Sequence, residues 1–227
     1  MKKIIIILNI IVIIMLVAAV PIFPQADIFR VAPGAEAQIS TLLNRPALVT
    51  PAVATPLGRN WFRLETDAHV FTDQVSVRQV AAVLLDIENQ ARHFDGRRSK
   101  LTTSIVSRSA NEIVVDYVSI AIAGIIRLST PFRASARTLT NTDTVFSLDI
   151  RQLPQDSETN NRMKNCSALR YAQEVTIGGR RFTYIRIYSI MDIDASILPG
   201  ARGVLERNAG PTNEEVLEMI IAAARNK

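Results

Sequence analysis

The last stretch of the chain, Thr212 to Arg225, does most to limit what the rest can fold into. Val216, Leu217, Ile220, Ile221 and Ala224 recur at helical spacing, while Glu214, Glu215, Glu218 and Arg225 fall on the other side. Pro211 blocks helix before it, and Thr212 with Glu215 three residues on predicts a capping box. An apolar stripe on one helix must be buried, and the upstream sequence reads mostly as strands. The expectation is a curved sheet closed over this helix.

The chain of 227 residues leaves room for one domain of ordinary size with a leader and a connecting segment. Hydrophobic residues make up 48%, enough for a sizeable core without metals or disulfides. The net charge of +5 is scattered rather than gathered into a dense basic face, and the aromatics are only eight Phe, four Tyr and one Trp. Nucleic acid is therefore not an expected partner. Cys166 is the single cysteine, so it can form no intramolecular disulfide; it reads as a small buried hydrophobe or a free thiol.

Met1, Lys2 and Lys3 open a long apolar run from Ile4 to Val20, the pattern of an export signal or a signal anchor, with Ala26 the best cleavage candidate. Residues 1–26 are assigned to that segment. The basic start holds the N-terminus in the cytoplasm, so the domain is expected outside: periplasmic, secreted, or anchored by an uncleaved segment. Residues 27–60, with Pro33, Pro46, Pro51 and Pro56, read as a Pro/Ala-rich linker or an arm packed on the domain, with a short helix over Glu36 to Leu43. Of these, a spacer from the membrane is the favoured reading.

The domain spans 61–227. Trp61 to Phe71 predicts a first strand, and Ser76 with Gln79 caps a helix whose apolar face is Val77, Val80, Ala81, Leu84 and Ile87. A short second helix follows around Asn89 to Phe94. Six strands come next: Leu101 to Arg108, Glu112 to Ile122, Phe132 to Leu139, Thr144 to Gln152, Ala168 to Ile177 and Arg181 to Met191. Gly178-Gly179 is a strong hairpin turn, and Pro154 to Asn165 a polar loop. Ala201 to Asn208 predicts a short helix separate from the closing one.

This order resembles that of the START-like (SRPBCC) superfamily. Val75 to Phe94, with Asp86 and Glu88 in a D-x-E pattern, is similar to the corresponding segment of its polyketide-cyclase and coenzyme-Q-binding members. The tryptophan and proline usual there are absent. The resemblance implies an α+β helix-grip fold: a seven-stranded curved antiparallel sheet wrapped around a long C-terminal helix, with two short helices after the first strand. It also implies a hydrophobic cavity between sheet and helix that binds a lipid or another hydrophobic small molecule. Expected lining residues are Phe132, Ala134, Phe146, Leu148, Leu169, Tyr171 and Ile185, with Val216, Leu217, Ile220 and Ile221; plain core packing is the alternative for each.

No catalytic constellation is apparent. His69 and His93 are far apart, no metal-ligand spacing occurs, and no phosphate loop or serine elbow appears. Neither cofactor nor metal is expected. A cyclase- or hydrolase-like enzyme using the cavity, or an envelope-tethered interaction module with a filled core, are the competing functions. Arg186, flanked by Tyr184 and Tyr188 at period two, offers a cation with two phenols for an acidic ligand head if that face points inward. With Ile185 and Ile187 on the opposite face, the outward orientation is favoured. Arg92, Arg97, Arg98 and Lys100, and Arg180 and Arg181 at the last hairpin, form either a solvated basic face or a contact for an anionic membrane surface.

Overall fold

The structure is a computed structural model, and it describes residues 28–123, 126–154 and 162–227. The apolar leader 1–26 lies outside the described residues, as does most of the polar loop after Pro154. Among the described residues, no helix is long and apolar enough to cross a membrane.

One large antiparallel sheet dominates. Its strands are β1 (Ala47–Leu48), β2 (Val53–Gly58), β3 (Trp61–Thr72), β4 (Ser99–Arg108), β5 (Glu112–Ala123), β6 (Ile126–Asn141), β7 (Val145–Gln152), β8 (Met163–Ile177) and β9 (Arg180–Asp194). The order is β1-β3-β9-β8-β7-β6-β5-β4, with β2 also paired to β3. The helices are α1 (Ile39–Leu42), α2 (Val77–Leu85), α3 (Gln90–His93) and α4 (Ala201–Ala224). This is the helix-grip architecture, with nine strands among the described residues rather than seven. The two additional strands come from residues 27–60. β1 is too short to show alternation, and β2 carries Pro56 on an edge, where a missing N–H costs no ladder bond.

β6 begins upstream of Pro131, where the sequence predicts no strand. β7 pairs only from Ala134 onward, so β6 has a free edge at Pro131 while its other side pairs with β5 through Val118. The β8–β9 hairpin turns at Gly178 and Gly179, both with positive φ (56° and 76°), the geometry of a type I′ turn. The Ser76 hydroxyl accepts from the Gln79 N–H and the Gln79 side chain accepts from the Ser76 N–H, so the first predicted capping box forms.

The second does not. α4 runs unbroken for 24 residues with Pro211 inside it, and Thr212 is an interior position. Pro in a helix interior costs about 3 kcal/mol. Here both halves bury apolar residues, Leu205 and Ala209 before the proline and Leu217, Ile220, Ile221 and Ala224 after it. The Asn208 amide donates to the Val204 carbonyl and Asn213 to that of Ala209 (2.7 and 2.8 Å), adding hydrogen bonds on either side. Continuous packing outweighs the local break.

The main core lies between the inner face of the sheet and two helices. Val77, Val80, Ala81 and Leu84 of α2 and Leu217, Ile220 and Ile221 of α4 meet Val70, Phe146, Leu148, Ala172, Ile185 and Ile187. A second cluster covers the outer face: Ala32, Ala35 and Leu42 pack on Phe71, Tyr171, Val175, Phe182 and Tyr184. Residues 28–49 thus lie against the convex side of β3, β8 and β9, and both faces of these strands are buried.

Candidate functional site

Beyond Leu148 the sheet and the helices part to leave a cavity of about 170 Å³. Leu84, Gln90, Phe94 and Val216 close it on the helical side. Opposite them β4 presents Leu101, β5 Tyr117 and Ser119, β6 Phe132, and β7 Leu148 and Ile150. β8 contributes Met163, Cys166, Ala168 and Arg170, and β9 Ser189 and Met191. Ser99 and Lys100 stand at the end that meets the surface, where Lys100 is half-exposed and pairs with Asp95. The walls are mostly apolar, and Tyr117 stacks on Phe132 with centroids 5.1 Å apart.

Of the polar groups in the lining, three bear on its chemistry. Arg170 is half-buried and forms part of the cavity wall. Its Nη1 donates to the Leu169 carbonyl (3.1 Å), with the Tyr188 carbonyl at 3.4 Å and Ser189 Oγ at 3.5 Å; among the described residues it has no carboxylate partner. Burial lowers its pKa from the ordinary guanidinium value. The Tyr117 hydroxyl is buried without a hydrogen-bond partner among the described residues, and burial raises the phenol well above its usual range. Burial also pushes the Cys166 thiol up to about 11, so at neutral pH it is the inert thiol rather than a nucleophilic thiolate. Among the described residues no Asp, Glu or His lines the cavity. Among the described residues no group of three His, Cys, Asp or Glu converges as metal ligands.

The expected lining residues divide into three groups. Phe132, Leu148 and Val216 border the cavity. Ala134, Phe146, Ile185, Leu217, Ile220 and Ile221 are buried on the inner side as packed core. Leu169 and Tyr171 are on the opposite face: Leu169 is paired with Tyr188, and Tyr171 lies under the arm, edge-on to Phe29. Their bulk is buried by residues 28–49 rather than by α4.

Arg186, Tyr184 and Tyr188 also occupy the convex face and do not reach the cavity. They are nonetheless buried. Arg186 forms a two-pronged pair with Asp67 (2.9 and 2.6 Å) and its Nη1 donates to the carbonyls of Ile28 and Arg30. Tyr184 Oη accepts from the Ala32 N–H at 3.0 Å and lies 3.2 Å from His69 Nδ1. Tyr188 donates to Glu65 at 3.0 Å. Arg186 and Tyr184 thus fasten the arm to the sheet, while Tyr188 ties β9 to β3. Asp86, at the end of α2, contacts Asn89, His93 and Lys227, which together hold its carboxyl far below the ordinary range. It is a structural junction, and Glu88 pairs separately with Arg108.

At the open end, the Glu215 carboxylate accepts from the backbone N–H groups of Arg97, Arg98 and Ser99 (2.8, 2.8 and 3.2 Å). The residue expected to cap its own helix therefore ties α4 to the loop before β4. Gly96 is required there by close approach: a Cβ would sit 2.5 Å from Glu215 Oε2. Arg97, Arg98 and Lys100 surround this end, with the first two exposed.

No family model matches the chain, and no curated protein matches it. Solved structures do. Human STARD10 is similar with a TM-score of 0.50 at 11% identity, over 77% of this chain and 73% of that one. A STAR-related lipid transfer protein (fragment 25–204) from Xanthomonas axonopodis is similar with a TM-score of 0.49 at 9% identity, over 78% and 99%. The di-domain ARO/CYC StfQ of the steffimycin biosynthetic pathway gives 0.43 at 12% identity, over 72% and 52%. The likeness to STARD10 is one of fold, which is START-like.

Proposed function

We propose that the protein is an exported binding domain for a hydrophobic small molecule, a lipid or its apolar portion, held in the cavity between the sheet and α4. The observation that carries this reading is the cavity itself, apolar along most of its wall and, among the described residues, without an Asp, Glu or His in its lining. Its volume slightly exceeds the roughly 150 Å³ that holds a benzene-sized body and falls short of the ~300–1,000 Å³ of drug-sized sites. One short chain fits, and a two-chain lipid does not. Six buried methylenes contribute about 5 kcal/mol before the costs of association, enough for binding without many polar contacts.

An enzyme of the cyclase type is less favoured, because the lining offers a protonated thiol, a protonated phenol and cations but, among the described residues, no Asp, Glu or His. Export rests on Lys2, Lys3 and the apolar run from Ile4 to Val20. Arg97, Arg98 and Lys100 around the outlet would favour contact with an anionic membrane surface during loading, by about 1 kcal/mol per basic residue.

Native mass spectrometry of the full-length chain after exposure to a lipid extract tests the reading. A bound hydrophobic species is expected, and Ala168→Phe, which fills the cavity, should abolish it. An empty wild-type chain, or equal loading of the filled variant, overturns it.

A further inference from the structure

The inner end of the cavity combines three observations that point to one ligand chemistry. Arg170 is a half-buried cation in the cavity wall with no carboxylate partner among the described residues, and the polar contacts it makes are two carbonyls and a hydroxyl, all from one nitrogen. Tyr117 also lines the cavity, and its buried hydroxyl has no hydrogen-bond partner among the described residues. Among the described residues the lining holds no carboxylate, and of its two basic residues Lys100 is already paired with Asp95, which leaves Arg170 as the cation for a ligand. Buried charges in proteins are ordinarily paired, because an isolated ion loses its hydration without compensation. A guanidinium with unused N–H donors beside an unpaired phenol matches the fork geometry of a carboxylate.

We propose that the ligand is a single-chain amphiphile with a carboxylate head, whose oxygens accept from Arg170 and Tyr117 while its tail lies against Phe132, Leu148 and Met163. The inference rests on the ligand-binding reading of the cavity and adds the identity of the head. The cavity volume limits the molecule to one short tail, so the head accounts for a large share of its recognition.

Equilibrium dialysis of the purified full-length chain against labelled octanoate, 1-octanol and octylamine tests this. Octanoate should bind at least about tenfold more tightly than octanol, and octylamine least, as expected for a charge-assisted pair in a dry site. Arg170→Met should remove the preference while octanol binding stays within about twofold. Tyr117→Phe, nearly isosteric, should reduce the preference for octanoate over octanol and serves on its own if Arg170→Met does not fold. If octanoate and octanol bind equally, or the preference survives in the folded variants, the carboxylate assignment is wrong and the cavity reading stands. If none of the three binds, the cavity reading fails and this inference goes with it.

Discussion

The link between Glu215 and the 97–99 backbone makes a quantitative prediction about how the cavity opens. One carboxylate on α4 accepts three backbone N–H groups from the loop that borders the outlet. Bonds to a charged acceptor contribute about 1.5–3 kcal/mol each when buried, and the half-exposed setting reduces this to roughly 0.5–1 each. Together they come to roughly 2 kcal/mol, a factor of about 30 in the local opening equilibrium. Glu215→Ala should therefore lower hydrogen-exchange protection of the amides from Arg97 to Leu101 by about that factor, with little change at Leu217 or Ile220. Gly96→Ala should act by a second route. The added Cβ meets Glu215 Oε2 at 2.5 Å and Cδ at 2.7 Å, so the flexible carboxylate moves away and its bonds are lost. If the latch controls the outlet, ligand dissociation measured by stopped flow should accelerate in both variants. Unchanged protection at 97–101 in Glu215→Ala, measured by exchange mass spectrometry, would refute the reasoning.

The convex face gives two further predictions. Asp67→Ala removes the carboxylate paired with buried Arg186 and should destabilise the chain by about 3–5 kcal/mol in denaturant melts, whereas Asp67→Ala combined with Arg186→Met should recover most of that loss. Burial holds His69 below its ordinary 6.5, with Asp67 opposing and Arg186 adding to the shift. The detached arm therefore binds the proton more readily than the docked one. Docking is at full strength above about 6.5 and weakens as pH falls through the window just below it. Limited proteolysis of residues 28–45 should accelerate between pH 7.5 and 5.5, and His69→Phe should remove that dependence; equal cleavage at both pH values in the wild type would contradict it.

Elements with one clear local signal were legible in the sequence. The Ser76–Gln79 box, the Gly178-Gly179 turn and the strands from β4 to β9 all follow from residue type and spacing, because each needs only its own neighbours. Errors arose where distant packing overrode a local rule. Pro211 reads as a helix stop, yet α4 passes through it because Leu205 and Leu217 both have cores to join. Residues 28–60 read as a linker or arm, with no register to show that Ala47 would pair with His69 or Val53 with Glu65. Glu215 reads as a capping partner for Thr212, and its use is in a loop more than a hundred positions earlier. The cavity's polar groups, Ser99, Tyr117, Arg170 and Ser189, come from four strands, so no spacing in the chain brings them together.

Arg170 is the exception, because two local signals jointly determine its face. Strand alternation alone is ambiguous in β8, where Leu169 and Tyr171 form one apolar row and Ala168 and Ala172 the other. The arm on the outside and the helices on the inside bury both rows, so hydrophobicity cannot tell them apart. The hairpin resolves the ambiguity. Pairing outward from Gly178-Gly179 places Ile177 opposite Arg180 and, with no shift along the way, Ala172 opposite Ile185 and Arg170 opposite Ile187. Paired residues share a face. Placing Ile185 inside is therefore incompatible with placing Tyr171 inside; it sends Tyr171 out beside Arg186 and turns Arg170 inward. The same step that moves Arg186 out of contention as a ligand contact thus supplies its replacement, an arginine one strand away that reaches the cavity without an acid beside it.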